Sequence, residues 1–294
     1  MAIHPYSTVP QRAWHYSYLI FCAIVFFFLV APLVAVIPLS FTSGAFLIFT
    51  PEMLAFDPEG YSLRWYRLLI GDCSDAVVTT VCSDKWVRGA KNSFFIAICA
   101  TVLATTLGTL AAQAISKPYM PFGKVIMAMM ISPLIVPLII TAPAISLWYS
   151  ELNLTQTYTG LVFAHTVLGI PFVVITVTST LVGFDQSLMR AAAGLGGGPV
   201  YNFFKVQMPL ILPGMISGGL FAFITSFDEV VVVLFIGGLE QHTLPKQMWS
   251  GIRQEISPTI LSAATILVLL SIVLLTTVEL LRRRSDRIRG VTGR

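Results

Sequence analysis

Six stretches of the chain, 18–39, 94–115, 125–149, 161–181, 214–236 and 260–281, run almost continuously apolar. Crossing about 30 Å of hydrocarbon as a helix takes roughly 20 residues, and each stretch reaches that length. None alternates apolar with polar positions in segments of about ten residues, as the strands of a membrane β-barrel do. The pattern predicts an all-α, polytopic membrane protein with six transmembrane helices. One domain over 18–281 is expected, preceded by a segment 1–17 and followed by a basic tail 282–294. Two polar interruptions stand out, a long loop at 42–92 and a glycine-rich loop at 183–213.

Composition agrees with this. With 56% hydrophobic residues, 11% charged residues and a mean hydropathy of +0.83, the 294-residue chain is too apolar to cover a soluble globule. The first run is long for the roughly 7–15-residue apolar core of a cleaved signal peptide, so it is expected to stay as the first helix. Placing both termini in the cytoplasm puts Arg12, Lys117, Lys124, Arg190, Lys205 and the tail residues Arg282, Arg283, Arg284, Arg287, Arg289 and Arg294 inside. Only Lys246 and Arg253 then lie in the short outer loops. That asymmetry predicts a multi-pass bacterial inner-membrane protein with both termini cytoplasmic. The net charge of +4 fits a tail facing anionic membrane lipid and requires no nucleic acid.

The loop 42–92 carries a turn, Asp57-Pro58-Glu59-Gly60, followed by an aromatic and basic run. Trp65, Tyr66 and residues 68–70 read either as a short interfacial helix or as part of an aromatic belt. Cys73 and Cys82 share this loop; in an oxidising compartment they can form a disulfide, and two free thiols are the alternative. Cys22 and Cys99 fall inside apolar runs and read as packing residues.

Pro133, Pro137 and Pro143 interrupt the third run and Pro171 the fourth. Each removes a backbone donor, and the freed carbonyls are tolerated only against protein or a wet cavity, as in a pathway lining. Asp228 and Glu229 sit in the fifth run, where an ionisable group costs about 2.5–3.5 kcal/mol on insertion scales. They point about 100° apart on a helix, so one is a candidate for meeting a cationic solute while the other bonds a neighbouring helix. His165 in the fourth run is a core histidine or a pathway residue. No nucleophile elbow, zincin helix or P-loop occurs, so neither a catalytic site nor a nucleotide site is expected on this chain.

In the loop 183–213, Asp185 or Ser187 can cap a short helix running through Arg190 to residue 193. Gly194, Gly196, Gly197, Gly198 and Pro199 then stop it, and a second short helix is expected over 200–206, with Pro209 and Pro213 directing the chain back into the bilayer. Ala191, Ala192, Gly196, Val206, Met208 and Pro209 fall in the register of the cytoplasmic EAA loop of ABC importer permeases, which this segment resembles. Arg190 stands where that family carries Glu, so the charge presented is reversed and that contact is not carried over. Residues 164–172, 226–230 and 58–66 are similar in wording to the second permease of spermidine/putrescine-type importers.

The resemblance implies the type I ABC importer permease fold and a role as half of a solute pathway. It implies a second permease subunit, two ATP-binding subunits that hold ATP and Mg, and a periplasmic solute-binding protein. No cofactor is expected on this chain. The solute implied is a polyamine or a related cationic or opine-like compound. An ion-coupled secondary transporter is the alternative that broken helices and intramembrane acids leave open; it has no use for a loop matching an ATPase groove.

Overall fold

The computed structural model describes residues 8–72, 84–117, 119–254 and 257–288, and among them the chain is helical with no strand. Cys73 and Cys82 lie outside the described residues. The chain divides into two units, Met1–Cys82 with Gly251–Leu270, and Ser83–Ser250 with Ser271–Arg294.

In the first unit, α1 spans Val9–Leu39 and starts where the Thr8 amide donates to Gln11 Oε1 at 3.0 Å. It buries none of its residues. A helix so apolar all round needs lipid or another subunit as its solvent. The following loop is ordered by its own side chains. After α2 (Pro51–Leu54), Asp57 accepts from the Glu59 amide at 3.1 Å and caps a 3₁₀ turn, Pro58–Gly60. The expected short helix forms as α3, Arg64–Leu69. Its aromatics are half-buried staples: Trp65 Nε1 donates to the Thr42 carbonyl at 2.9 Å, and the Tyr66 and Ser40 hydroxyls share a hydrogen bond of 2.6 Å.

The second unit is built on three helices, α4 (Lys85–Ile115), α7 (Tyr158–Val182) and α10 (Met208–Phe227). Between the first two, α5 (Gly123–Ile135) and α6 (Leu138–Glu151) replace the single third span expected from sequence. They are bent by 103°. Pro137 explains the break: it offers no amide, and the residue before it, Val136, is driven to an extended conformation (φ −76°, ψ 128°). Of the candidate spans, α7 is the central one, with 67% of its apolar window buried.

Small residues bring the three helices together. A Cβ on Gly108 would come within 2.7 Å of the Val173 side chain, and one on Gly218 within 2.7 Å of Val173 Cα. Gly169 faces Ala104 and Ala222 in the same way. Lipid tails are as apolar as leucine, so close backbone approach and its dispersion energy hold such helices together.

The loop after α7 forms α8 (Gln186–Gly194) and α9 (Pro199–Asn202). The expectation of a separate second helix is corrected here: α9 continues through a π turn, Phe203–Gln207, directly into α10. Pro209 follows directly on the π turn inside this continuous helix, where it removes one backbone donor. The fifth span is also corrected. It breaks after Phe227, resumes as the short α11 (Val231–Ile236), and leads to α12 (Leu244–Gln254). The last helix, α13, spans Pro258–Ile288; near its start the buried Ser262 hydroxyl donates to the Ser40 carbonyl at 3.0 Å, within the first unit. Among the described residues, five helices are long and apolar enough to cross a membrane, or six with α5 and α6 counted as one.

Candidate functional site: a protruding knob and a broken span

The knob is α8 with the turn that follows it. Asp185 caps α8 by accepting from the Ser187 amide at 2.8 Å. The Ser187 hydroxyl and amide, helped by the charge of Arg190, hold the Asp185 carboxyl below the usual carboxylate range. At the other end the chain reverses through a Schellman turn. The Gly196 amide donates to the Ala193 carbonyl at 3.0 Å and the Gly197 amide to the Ala192 carbonyl at 3.0 Å. Gly196 takes φ +85°, which only glycine adopts without strain. No atom lies within 4 Å of a Cβ placed there, so the turn, and not crowding within the chain, requires glycine.

Of the sequence-designated residues, Arg190, Ala191, Ala192 and Gly196 lie on this knob, and Val206, Met208 and Pro209 lie in the π turn and at the start of α10. Arg190, Ala191 and Pro209 are exposed, and Ala192, Val206 and Met208 are partly covered. Phe203 packs into the core beside Val177 and Ile211. Leu195 (91% exposed), Val200 (69%) and Tyr201 (62%) present an apolar surface. With no buried residue in α8 and apolar side chains at its tip, this segment protrudes from the helix core.

The broken span lies at the opposite end of α10. His165 is fully buried, and its Nδ1 shares a hydrogen bond of 2.8 Å with the Ser226 hydroxyl, so it belongs to the α7–α10 contact. Glu229 Oε1 accepts from the Val232 amide at 3.0 Å and caps α11. Asp228 is exposed, and among the described residues its carboxylate has no hydrogen bond or ion pair. One acid is held by backbone and the other is open, but at a break between α10 and α11 and not about 100° apart on one helix as the sequence suggests.

The carbonyls that a helix leaves unpaired at its C-terminus are met at α11 by three different elements. Ser146 of α6 donates to Phe235 O at 3.0 Å, and the Gln156 amide to Ile236 O at 2.8 Å. Lys246 of α12 donates through Nζ to Val233 O, which the Gly237 amide also meets, and to Gly237 O just beyond the helix, both at 3.2 Å. Lys246 is only 7% exposed, and burial pushes its ammonium below the ordinary lysine range. The loop before α12 is clamped as well: Asn92 Nδ2 donates to the carbonyls of Glu240 (2.7 Å) and His242 (2.9 Å) while Tyr158 donates to Asn92 Oδ1 (3.0 Å). Sequence reasoning counted Lys246 as a loop charge and passed over Asn92, Tyr158 and Ser146. Their partners are distant in sequence, and no local pattern marks them. No cluster of three or more His, Cys, Asp or Glu able to hold a metal occurs among the described residues.

The family model for the binding-protein-dependent transport system inner membrane component matches residues 104–287. The chain belongs to that family. This permease is 29% identical over 273 residues to the spermidine/putrescine transport system permease protein PotC of Escherichia coli (strain K12), covering 93% of this chain and 96% of that protein. It is 30% identical over 253 residues to the putrescine transport system permease protein PotI of the same organism, covering 82% of each. Its fold is that of a bacterial ABC transporter involved in the import of alginate, with a TM-score of 0.67 at 14% identity, covering 94% of this chain and 99% of that one. The permease is thus a multi-pass inner-membrane component of an ABC importer.

Proposed function

We propose that this permease forms half of a pathway for a polyamine such as putrescine or spermidine, with both termini in the cytoplasm. A second permease subunit, a different chain, completes the pathway. Two ATP-binding subunits, which hold ATP and Mg, receive the α8 knob, and a periplasmic binding protein delivers solute at the opposite face. ATP-driven closure of the ATPases moves the knobs together; because α9 continues through the π turn into α10, that movement is carried along one helix to the broken span. Asp228 meets the ammonium group of the solute, and Glu229 and His165 hold the segment that carries it.

The observation that carries the substrate reading is the open carboxylate of Asp228 at the break in the apolar fifth run, beside an acid that is satisfied by backbone. An unpaired intramembrane carboxylate is costly unless something cationic or wet meets it. The similarity to PotC and PotI over most of each chain agrees with it. The test is uptake of radiolabelled putrescine and spermidine by the assembled complex in liposomes. Accumulation that needs internal ATP and the binding protein supports the reading. Accumulation driven by an ion gradient with no ATPase present overturns the coupling, and transport of neither amine overturns the substrate.

A further inference from the structure

Helix α11 is too short to be stable alone, since a single turn fixes more backbone freedom than its bonds return. It is held at both ends by ionisable side chains. Glu229 closes the N-terminal end through the Val232 amide, and Lys246 closes the C-terminal end through the carbonyls of Val233 and Gly237. Negative charge at the start and positive charge at the end of a helix each complement its dipole. A buried ammonium is an expensive donor for two carbonyls; Ser146 and the Gln156 amide satisfy theirs without charge. Its long stem reaches a further element, linking α11 to α12 as Ser146 links it to α6.

That helix, α12, is itself fixed at its first turn. The Leu244 amide donates to the Ser93 hydroxyl of α4 at 2.8 Å, and a Cβ on Gly89 would lie 3.4 Å from the Leu244 backbone. Lys246 is two residues further on, buried, with both of its acceptors on or just beyond α11. Asp228 stands immediately before the Glu229 cap at the other end of that segment.

We propose that Lys246 is a positioning residue: its ammonium ties the first turn of α12 to the end of α11 and thereby sets where Asp228 presents its carboxylate. A displacement of α12, the helix at the face opposite the knob, passes through this tie to the acid at the break. The part played by Asp228 rests on the proposed amine pathway; the tie itself does not.

The experiment uses the complete transporter in nanodiscs, with Asp228→Cys as a probe. Its modification by a cationic methanethiosulfonate is followed by the mass of the peptide that contains it, so the native cysteines do not interfere. With Lys246→Met, assembled at normal yield, the rate of modification is expected to change by about tenfold or more, and Lys246→Arg is expected to return it to within about threefold, the charge and donors being retained. A purely structural role would lower yield or melting temperature and leave the rate at Asp228→Cys unmoved in the molecules that assemble. An unmoved rate overturns the proposal. Should the Met variant not assemble, Lys246→Gln, which keeps a donor but not the charge, supplies the comparison with the same two outcomes. Protection of the probe by putrescine is scored separately. Its absence with the Lys246 dependence intact removes the amine and leaves the tie standing.

Discussion

The side-chain amide of Asn202 donates to the carbonyl of Gly197 at 3.0 Å, closing the knob across its base. Asn202 is 3% exposed, and a Cβ on Gly197 would collide with its Oδ1. Gly197 is therefore fixed by contact and Gly196 by backbone angle, although they are neighbours in one glycine run. The turn fixes the direction in which α8 leaves the chain that becomes α10, and in the proposed mechanism force passes through that geometry.

Removing the amide tests it. Asn202→Ala leaves the Gly197 carbonyl without its donor, a loss of about 1–3 kcal/mol if no water replaces it. Binding-protein-stimulated ATP hydrolysis should fall severalfold, and α8 should exchange its amide hydrogens faster. Unchanged coupling and exchange would show that the turn holds without this bond. Gly197→Ala should have the same effect through the collision.

At Gly196 the two substitutions separate backbone from surface. Gly196→Ala should cost about 1–2 kcal/mol of local strain at φ +85° and weaken ATPase association only modestly. Gly196→Arg adds a long side chain where nothing in this chain opposes it, so any further loss of association comes from the partner. Co-purification of the ATPase at wild-type levels with the Arg variant would remove this face from the interface.

The adjacent acids should behave differently. Asp228→Asn removes an open carboxylate, and uptake of putrescine is expected to fall by about tenfold or more, the usual scale of a lost charged contact, with melting temperature unchanged. Glu229→Gln keeps an oxygen that can accept from Val232, so uptake should fall less; Glu229→Ala should lower stability by about 1 kcal/mol, as loss of a helix cap does. Equal uptake losses with equal melting shifts in the two positions would merge their roles. Initial uptake rates and thermal unfolding of the purified complex decide it.

These differences mark how far sequence reading reached. The apolar runs were legible because a bilayer demands length and continuity, and that property is local. The Asp185 cap and the glycine stop of α8 were legible for the same reason, since both act within a few residues. The bend at Val136-Pro137 and the break at Asp228 were counted inside single spans, because hydropathy continues across them while backbone direction does not. Lys246 was unreadable: its acceptors lie 13 and 9 residues away on another element, and a lysine after a polar loop looks like surface charge. Asn92 was hidden by a still larger separation, with Glu240 and His242 as partners 148 and 150 residues on.

The close approach of α7 and α10 gives the last test. A Cβ on Gly218 would lie 2.7 Å from Val173 Cα and press on the Thr176 hydroxyl, with backbone and not a flexible side-chain tip in the way. Gly218→Val forces the helices apart, at a cost of about 1–3 kcal/mol for an overpacked core. The expected result is a lower melting temperature with knob docking preserved in the molecules that remain folded, because the change lies far along α10 from Phe203–Gln207. Gly194→Ala is the control: it ends α8, nothing lies within 4 Å of its added Cβ, and alanine should be neutral or stabilising by up to about 1 kcal/mol. If Gly218→Val left the melting temperature alone while Gly194→Ala lowered it, close packing would not be what holds this helix pair together.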